Sequence, residues 1–513
     1  MKKLLFIVLI FVTTYINTFA NVSIKTNIDA LISEGLVSIY NVDFKTASEK
    51  FQQAQKSYPN DVRGYFYESL IYFYDALTSK SESAFEKYIS SADKIIDMSD
   101  DILDKDENNF DVLYCKGQTH SYKSLLLLLL NKNILKAASN GNDGYSILSD
   151  IVKRKPDYYD AYMGLGLFKI AIGYVPDNFK WLLNVIGFDG NIKDGREYLK
   201  IAMQKGKFTR TEAKAYLAVF SLREKDFNSN EAIELSKSLV ADFPQSTFFN
   251  LLYGSILTQS GLLDEAIVYL NKSLELNKFS MQTEIKKSAN LFLGNAYFGK
   301  NDFMKAIQYL EEYMKLTKET DRYNLSLFTL AVSYEMIGRR DVALIKYRQI
   351  RPTYNNEKDG ETEKLFYRIA QDRLIKKITP LDSMIIIGMN FRDSKQYEQS
   401  ANTFTDIANS GLLKKYNDPD AELRYYYELG KLNLETRNYD KAKDALNKAI
   451  LIKPNKEIWL LPHSYFELAK LYSHLGDYAK ADEYFEKASD FDDFDLEQFL
   501  DMRITNYKKN KPN

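Results

Sequence analysis

One residue pattern recurs along most of the chain and constrains its fold more than any other feature. Each copy has a Leu-Gly or Leu-Ala pair, an aromatic residue three positions on, a Gly-like turn, and then Ala, a large apolar residue and a second Ala. A tandem unit of about 34 residues predicts two helices per copy and a stack of copies. The clearest copy is Leu468-Ala469, Tyr472, Gly476, Tyr478, Ala481, Phe485 and Ala488.

Further copies extend the pattern towards both ends of the chain. Near the amino terminus it returns from Gly35 to Pro59, and it recurs around Tyr253-Gly254 and Gly388. Counting degenerate copies, we expect about eleven helical pairs between residues 28 and 490, followed by a closing helix near 495–508. The best intermediate copies begin at Leu293-Gly294, Leu330-Ala331 and Leu429-Gly430.

Each position of the unit has a physical role. The small residue after Leu lets the second helix approach the first, and we expect the second helix to meet it with Ala, since larger side chains would separate the helices. Turn glycines such as Gly338 and Gly476 supply a backbone conformation with positive φ where the first helix stops. Pro454 and Pro244 mark the end of second helices.

This repeat resembles the tetratricopeptide repeat. The resemblance implies an all-α fold, an α-solenoid of stacked helix-turn-helix repeats wound as a right-handed superhelix. We expect a leader at 1–20, divergent repeats over 21–205 with an insertion at about 174–193, central repeats over 206–375, and carboxy-terminal repeats with a capping helix over 376–513.

The first twenty residues predict export. Lys2 and Lys3 precede an apolar run from Leu4 to Val12, and small residues end the segment at Ala20. This layout is typical of a secretory signal peptide. The apolar run is shorter than the roughly 20 residues that span a bilayer, so a retained anchor is the weaker alternative. We expect a periplasmic or outer-membrane-associated protein of a Gram-negative bacterium.

The insertion carries a second resemblance. A Gly-Leu-Phe helix, a Pro, an apolar segment and a Gly-Phe-x-Gly turn followed by another Gly occur in this order. The segment resembles the eukaryotic inclusion-body clearance and tetratricopeptide repeat protein 39 family, whose members are associated with organelle membranes and lipid-related clearance. The matching residues are Gly166, Phe168, Pro176, Leu182, Leu183, Gly187, Phe188, Gly190 and Gly195.

Composition argues against several function classes. Lys and Arg total 69 against 70 Asp and Glu, and phosphate neutralisation needs a concentrated basic surface, so nucleic acid is not an expected partner. The three histidines lack ligand spacing and the chain has no phosphate-binding loop or nucleophile elbow, so we expect no metal, no cofactor and no enzyme activity. The one cysteine, Cys115, is expected in the core.

The remaining candidate is the groove formed by the first helix of every pair. In the late repeats its inward positions combine cations and aromatic rings, which suits an acidic or carboxyl-terminated peptide. Ordinary solvated helix surface is the alternative. The candidate residues are Asn295, Arg424, Tyr427, Lys431, Phe466 and Lys470.

The sequence therefore predicts an exported, non-enzymatic scaffold or adaptor that binds partner proteins through its concave surface. The second hypothesis is a membrane-surface or lipid-associated protein that acts through the apolar insertion 177–188, which includes Phe179, Trp181 and Leu182. A packed plug between repeats is the third interpretation of that insertion.

Overall fold

Every regular element in the described part of the chain is an α-helix. A computed structural model describes residues 27–79, 81–130, 132–173, 191–223, 229–277, 282–317, 323–351 and 360–509. The predicted signal peptide (1–20) and most of the predicted insertion, including Pro176, Gly187, Phe188 and Gly190, lie outside these ranges. The insertion hypothesis is therefore untested by the fold, although Asn191 caps the helix that follows it.

The described ranges contain the following helices, given in chain order. Their bounds are α1 Ile28–Tyr40, α2 Phe44–Ser57, α3 Arg63–Ser79, α4 Glu82–Leu103, α5 Phe110–Leu129, α6 Ile134–Arg154, α7 Ala161–Gly173, α8 Ile192–Lys205, α9 Arg210–Arg223, α10 Ser229–Asp242, α11 Thr247–Gln259, α12 Leu263–Leu276, α13 Gln282–Gly299, α14 Phe303–Leu316, α15 Tyr323–Met336, α16 Arg340–Gln349, α17 Glu361–Ile375, α18 Pro380–Asp393, α19 Tyr397–Asn409, α20 Leu412–Tyr416, α21 Pro419–Glu435, α22 Tyr439–Ala449, α23 Leu460–His474, α24 Tyr478–Ser489 and α25 Glu497–Lys509.

The all-α repeat fold is confirmed. Within the described ranges, all helices except α17, α20 and α25 form successive pairs, from α1 with α2 to α23 with α24. The closing helix α25 lies where the repeat pattern predicts it. The chain forms two compact units, Met1–Ala213 (unit 1) and Lys214–Asn513 (unit 2).

A glycine in the first helix sets the spacing within many pairs. A Cβ built on Gly430 would lie 2.5 Å from Leu446 Cγ, and one on Gly35 would lie 2.3 Å from the ring of Phe51. Gly254, Gly294 and Gly388 meet Leu270, Leu310 and Phe404 in the same way. The prediction that Ala faces this glycine is therefore wrong. A Leu or Phe fills the space, and it fits because the glycine has no side chain.

The turns inside the pairs share one backbone geometry. Gly338 and Gly476 have φ of 80° and 78°, as the sequence predicts. Arg437 and Lys395 occupy the same turn position with φ of 60° and 59°. The left-handed conformation is thus required by the turn itself, and glycine is only the residue that adopts it most readily.

Helix α17 interrupts the alternation of pairs in unit 2. One of its faces packs on the cluster formed by α15 and α16, where Phe366 lies 4.7 Å from Phe328 between ring centroids and Ala370 is fully buried. The next helix, α18, pairs with α19 instead. Asn390 of α18 also donates to the carbonyl of Phe298 at 2.9 Å, so the late repeats contact earlier ones.

We predict that Gly430→Ala destabilises the late repeats, because the new methyl group must displace Leu446 in a packed interface. The expected loss in the free energy of unfolding is about 1–3 kcal/mol. Urea unfolding followed by Trp459 fluorescence, in a Trp181→Phe background, measures it. Gly360→Ala is the matched control, since a Cβ there meets nothing within 4 Å. Equal stability of the two variants would contradict the spacing argument.

Candidate partner-binding surfaces

The predicted cations of the late repeats all lie beside carboxylates of the same chain. Lys470 Nζ is 2.7 Å from Glu467 Oε2, and Lys431 Nζ is 3.7 Å from Glu428 Oε2. Both pairs are three residues apart and therefore neighbours on one helix face. Arg424 Nη2 likewise lies 2.6 Å from Glu457 Oε2. All three predicted cations therefore form ion pairs within the protein.

The predicted aromatic residues lie beneath these cations. Tyr427 and Phe466 are 4% and 2% exposed, so in this conformation their rings support the surface and do not form it. Lys431 Nζ lies 5.2 Å from the centre of the Tyr427 ring. The guanidinium of Arg503 lies 4.2 Å from the centre of Phe466. Both distances are within the range of cation–π attraction.

Two of the carboxylates are deeply buried and are held by cations from other helices. Glu467 is 1% exposed, and Arg503 Nη2 lies 3.2 Å from its Oε1. Burial alone would raise the pKa of Glu467, but Lys470 and Arg503 outweigh burial and lower that pKa to about 2. Glu428 is paired in the same way with the buried Arg392. Removing one partner of such a pair leaves an uncompensated buried charge.

A cavity of about 490 Å³ opens between α17 and the late repeats. Arg424 lines it, together with Glu457 and two lysines, Lys376 and Lys456, whose side chains are 60% exposed. Asp420 shapes its floor because its carboxylate accepts the backbone N–H groups of residues 455–457 at 2.8–3.2 Å. Among the predicted site residues, only Arg424 lines this cavity.

The remaining predicted residues lie elsewhere. Asn295 is half-buried in α13 and does not line the cavity. Of the family-like motif, Gly166 and Gly195 form the contact of α7 with α8, since a Cβ on Gly166 would lie 2.7 Å from the Gly195 carbonyl oxygen. Phe168 packs with Tyr145, at 4.8 Å between ring centroids. These three residues hold helices together.

Sequence reasoning missed the acidic side of the surface. Glu428 and Glu467 could have been identified from the sequence, because each lies one helical turn before a predicted cation. Glu457 and Asp495 lie in connections between helices, and no periodicity points to them. Arg368 lies on α17, a helix that has no partner in the repeat pattern.

The inner side of unit 1 is occupied by the protein's own segment 207–212. Asp160 Oδ1 accepts the backbone N–H groups of Phe208 and Thr209 at 2.9 and 3.0 Å. The ring of Tyr67, on α3, lies 5.5 Å from that of Phe208. First helices of successive pairs thus meet this segment where a groove ligand would bind. The remaining contacts are Lys207 with Asp29 and Tyr122 with Glu212.

No helix in the described ranges combines the length and apolar composition needed to cross a bilayer. In the same ranges, no group of three or more His, Cys, Asp or Glu side chains is placed to hold a metal ion. Cys115 is buried, and burial raises the pKa of its thiol.

Known proteins share the repeats and part of the sequence. A family model described as Iml2/Tetratricopeptide repeat protein 39 matches residues 160–429, more than half of the chain. A tetratricopeptide repeat model matches residues 423–456 and 462–494. An uncharacterized protein of Schizosaccharomyces pombe is 34% identical over 153 residues, which are 28% of this chain and 25% of that protein. The match thus spans about a quarter of the relative's length.

Solved helical-repeat structures also align with the chain. Human IFIT1 aligns over 90% of this chain and 93% of its own, with 14% identity and a TM-score of 0.36. A tetratricopeptide repeat protein from Parabacteroides merdae aligns over 58% of this chain and 98% of its own, with 12% identity and a TM-score of 0.23.

We predict that acid destabilises the late repeats through His463. Burial and the nearby Arg503 lower the pKa of His463 to about 4, while Glu467 and Lys431 also face the ring. The pKa of an unfolded histidine is about 6.5, so the unfolded state binds a proton that the folded state does not. The contribution of His463 to the free energy of unfolding is therefore present in full above pH 6.5 and is about 2 kcal/mol smaller at pH 5.

Urea unfolding of wild type and His463→Leu at pH 7 and pH 5 measures this effect. The variant is expected to lose less stability between the two pH values than wild type does. His474→Leu is the matched control, because its side chain is exposed and should contribute less to the pH dependence. If His463→Leu loses as much stability between pH 7 and pH 5 as wild type does, His463 is not the source of the acid sensitivity.

Proposed function

We propose that the chain, which belongs to the Iml2/Tetratricopeptide repeat protein 39 family, is a non-enzymatic scaffold that holds partner proteins against its late repeats. Repeats of this type form protein-interaction scaffolds and are generally non-catalytic. The match to a quarter of a fission yeast relative supports no narrower activity.

One observation carries the proposal: an open cavity of about 490 Å³ lies between α17 and the late repeats. Exposed lysines and several carboxylates line it, and Ile369 and Ala421 add apolar surface. Such a mixture suits a peptide side chain or chain end that offers both charge and apolar contact. The inner side of unit 1, by contrast, is filled by residues 207–212.

The internal ion pairs refine the predicted partner chemistry. An acidic peptide would have to compete with Glu428, Glu457 and Glu467 for the cations of the surface. We therefore propose a partner segment of mixed charge, bound by exchange of ion pairs. The exposed ends of Lys376 and Lys456 are the cations most easily redirected towards it.

Export is proposed from residues 1–20 of the sequence. Two lysines, a short apolar run and small residues before Ala20 form the segment. In a Gram-negative bacterium the protein would reach the periplasm, where it would hold its partners outside the cytoplasm.

We predict that replacing Arg424, Lys431 and Lys470 together by Ala abolishes retention of a defined partner. The test is affinity capture by the full chain from an envelope extract of the source cells, with captured proteins identified by mass spectrometry. The mass of the recovered bait also shows whether residues 1–20 have been removed.

The matched control replaces three exposed lysines of the second helices, Lys441, Lys443 and Lys487, and makes the same change in charge. Circular dichroism verifies that both variants fold. Retention that survives in the first variant, or is lost equally in both, would refute binding at the late-repeat surface.

A membrane surface is the second candidate partner, and one observation in unit 1 favours it. The last residues of α5 and the first residues of α6 expose four large apolar side chains. Lys132 and Lys136 flank them, as cations flank apolar residues in segments that lie in the membrane interface. The proposed insertion 177–188 lies outside the described residues. The four side chains are Leu128 (43% exposed), Leu129 (50%), Ile134 (48%) and Leu135 (68%).

We predict for this second function that the full chain floats with vesicles of mixed neutral and anionic phospholipid, and that Leu129→Glu with Leu135→Glu abolishes flotation. Each buried apolar side chain contributes roughly 1.5–3 kcal/mol to interfacial binding. Val268→Glu with Met304→Glu is the control, since both residues are exposed on second helices of unit 2. Absence of wild-type flotation would exclude the membrane role.

A further inference from the structure

Helix α17 presents a stripe of alternating charge to the late repeats. Glu361, Leu365, Arg368 and Asp372 are spaced by four, three and four residues, which places them on one side of a helix. This side faces away from the apolar contacts of Phe366 and Ala370 with α15 and α16. We call these four residues the α17 stripe.

The two ends of the stripe meet complementary groups. Both oxygens of the Glu361 carboxylate accept backbone N–H groups of α25, from Gln498 and Phe499, at 2.8 Å each. A carboxylate at a helix N-terminus satisfies donors that the helix leaves unpaired. At the other end, Asp372 pairs with Lys456. The late repeats thus fix both the position and the direction of α17.

The centre of the stripe is an arginine held by carboxylates of the late repeats. Arg368 Nε lies 2.7 Å from Asp495 Oδ2, and its Nη1 lies 3.3 Å from Glu457 Oε1. The two carboxylates are 22% and 12% exposed. A planar guanidinium engages two carboxylates in fixed directions, which an ammonium group does not do.

The fit of Arg368 is incomplete. Its Nη2 is buried and makes no hydrogen bond to any part of the chain that the structure describes. The adjoining cavity of about 490 Å³ reaches Asp372 and Glu457. Arg368 therefore leaves one of its own donors unsatisfied in this site.

These contacts identify what the late repeats recognise. We infer that Glu457, Asp495 and the N-terminus of α25 form a recognition site for a partner helix that carries an acidic residue and, seven residues later, an arginine. Helix α17 is the chain's own occupant of this site. This inference rests on the proposed scaffold function and specifies its partner as an arginine-bearing helix in place of an acidic peptide.

The stripe can exchange because its contacts with the late repeats are mainly polar. Ion pairs that reach solvent are weak individually and are screened by salt. Exchange requires the stripe to leave Glu457 and Asp495, since the partner helix takes the same place. A partner helix with the same stripe replaces the ion pairs one for one and leaves no carboxylate buried without a cation.

The test uses a fluorescent synthetic peptide of residues 360–376 as the probe and the full chain as the receptor. Weakening the resident helix by Arg368→Ala in the receptor should increase its affinity for the probe by about tenfold over wild type, because a charge-assisted contact no longer competes. Fluorescence anisotropy at low salt measures binding. Glu361→Gln is a second receptor variant in case Arg368→Ala disturbs folding, which circular dichroism would reveal.

Variants of the probe separate recognition from general attraction. Arg368→Gln in the peptide should weaken binding about tenfold. Arg373→Gln should leave binding unchanged, because Arg373 pairs with Asp382 of α18, outside the recognition site. Asp495→Asn in a weakened receptor should also reduce binding. Equal losses from the two peptide variants, or no binding to either weakened receptor, would overturn the inference.

The result is independent of partner capture. The probe is the protein's own sequence, so its binding is measured without any cell extract. Probe binding with no captured protein would support the recognition site and count against the scaffold function. Captured protein with no probe binding would support the scaffold and overturn the site.

Discussion

A close helix contact in many of the pairs depends on one missing side chain. Gly430 against Leu446, and Gly35 against Phe51, place a large apolar group where a Cβ would otherwise lie, within 2.5 Å. Because the two helices touch along this line, the buried apolar residues of neighbouring pairs can form a continuous core. Where this glycine occurs, it sets how closely the two helices of a pair approach.

Ion pairs hold the inner face of the late repeats together as much as apolar contacts do. Glu467 is nearly inaccessible, yet Lys470 and Arg503 keep it ionised. Such pairs add little net stability, but an unpaired member is costly, so they restrict how the helices can be arranged. A partner that binds here must supply charges in matching places.

Helix α17 connects the two kinds of surface within unit 2. Its apolar side packs in the core of α15 and α16. On its other side, Glu361 contacts α25 and Arg368 contacts the connections beside that helix. Short-range pattern could predict a helix at Glu361–Ile375, but not its role. Asp495 is 127 residues away from Arg368 along the chain, and only tertiary structure brings them together.

The sequence by itself determined the repeat, the positive-φ turns at Gly338 and Gly476, and the closing helix. These features depend on residues within one helix or one turn, where spacing fixes geometry. Tertiary structure decided the rest. It buried Tyr427 and Phe466, and it set Leu446 rather than Ala against Gly430. It also filled the inner side of unit 1 with residues 207–212, because contacts between distant residues depend on how complete pairs stack.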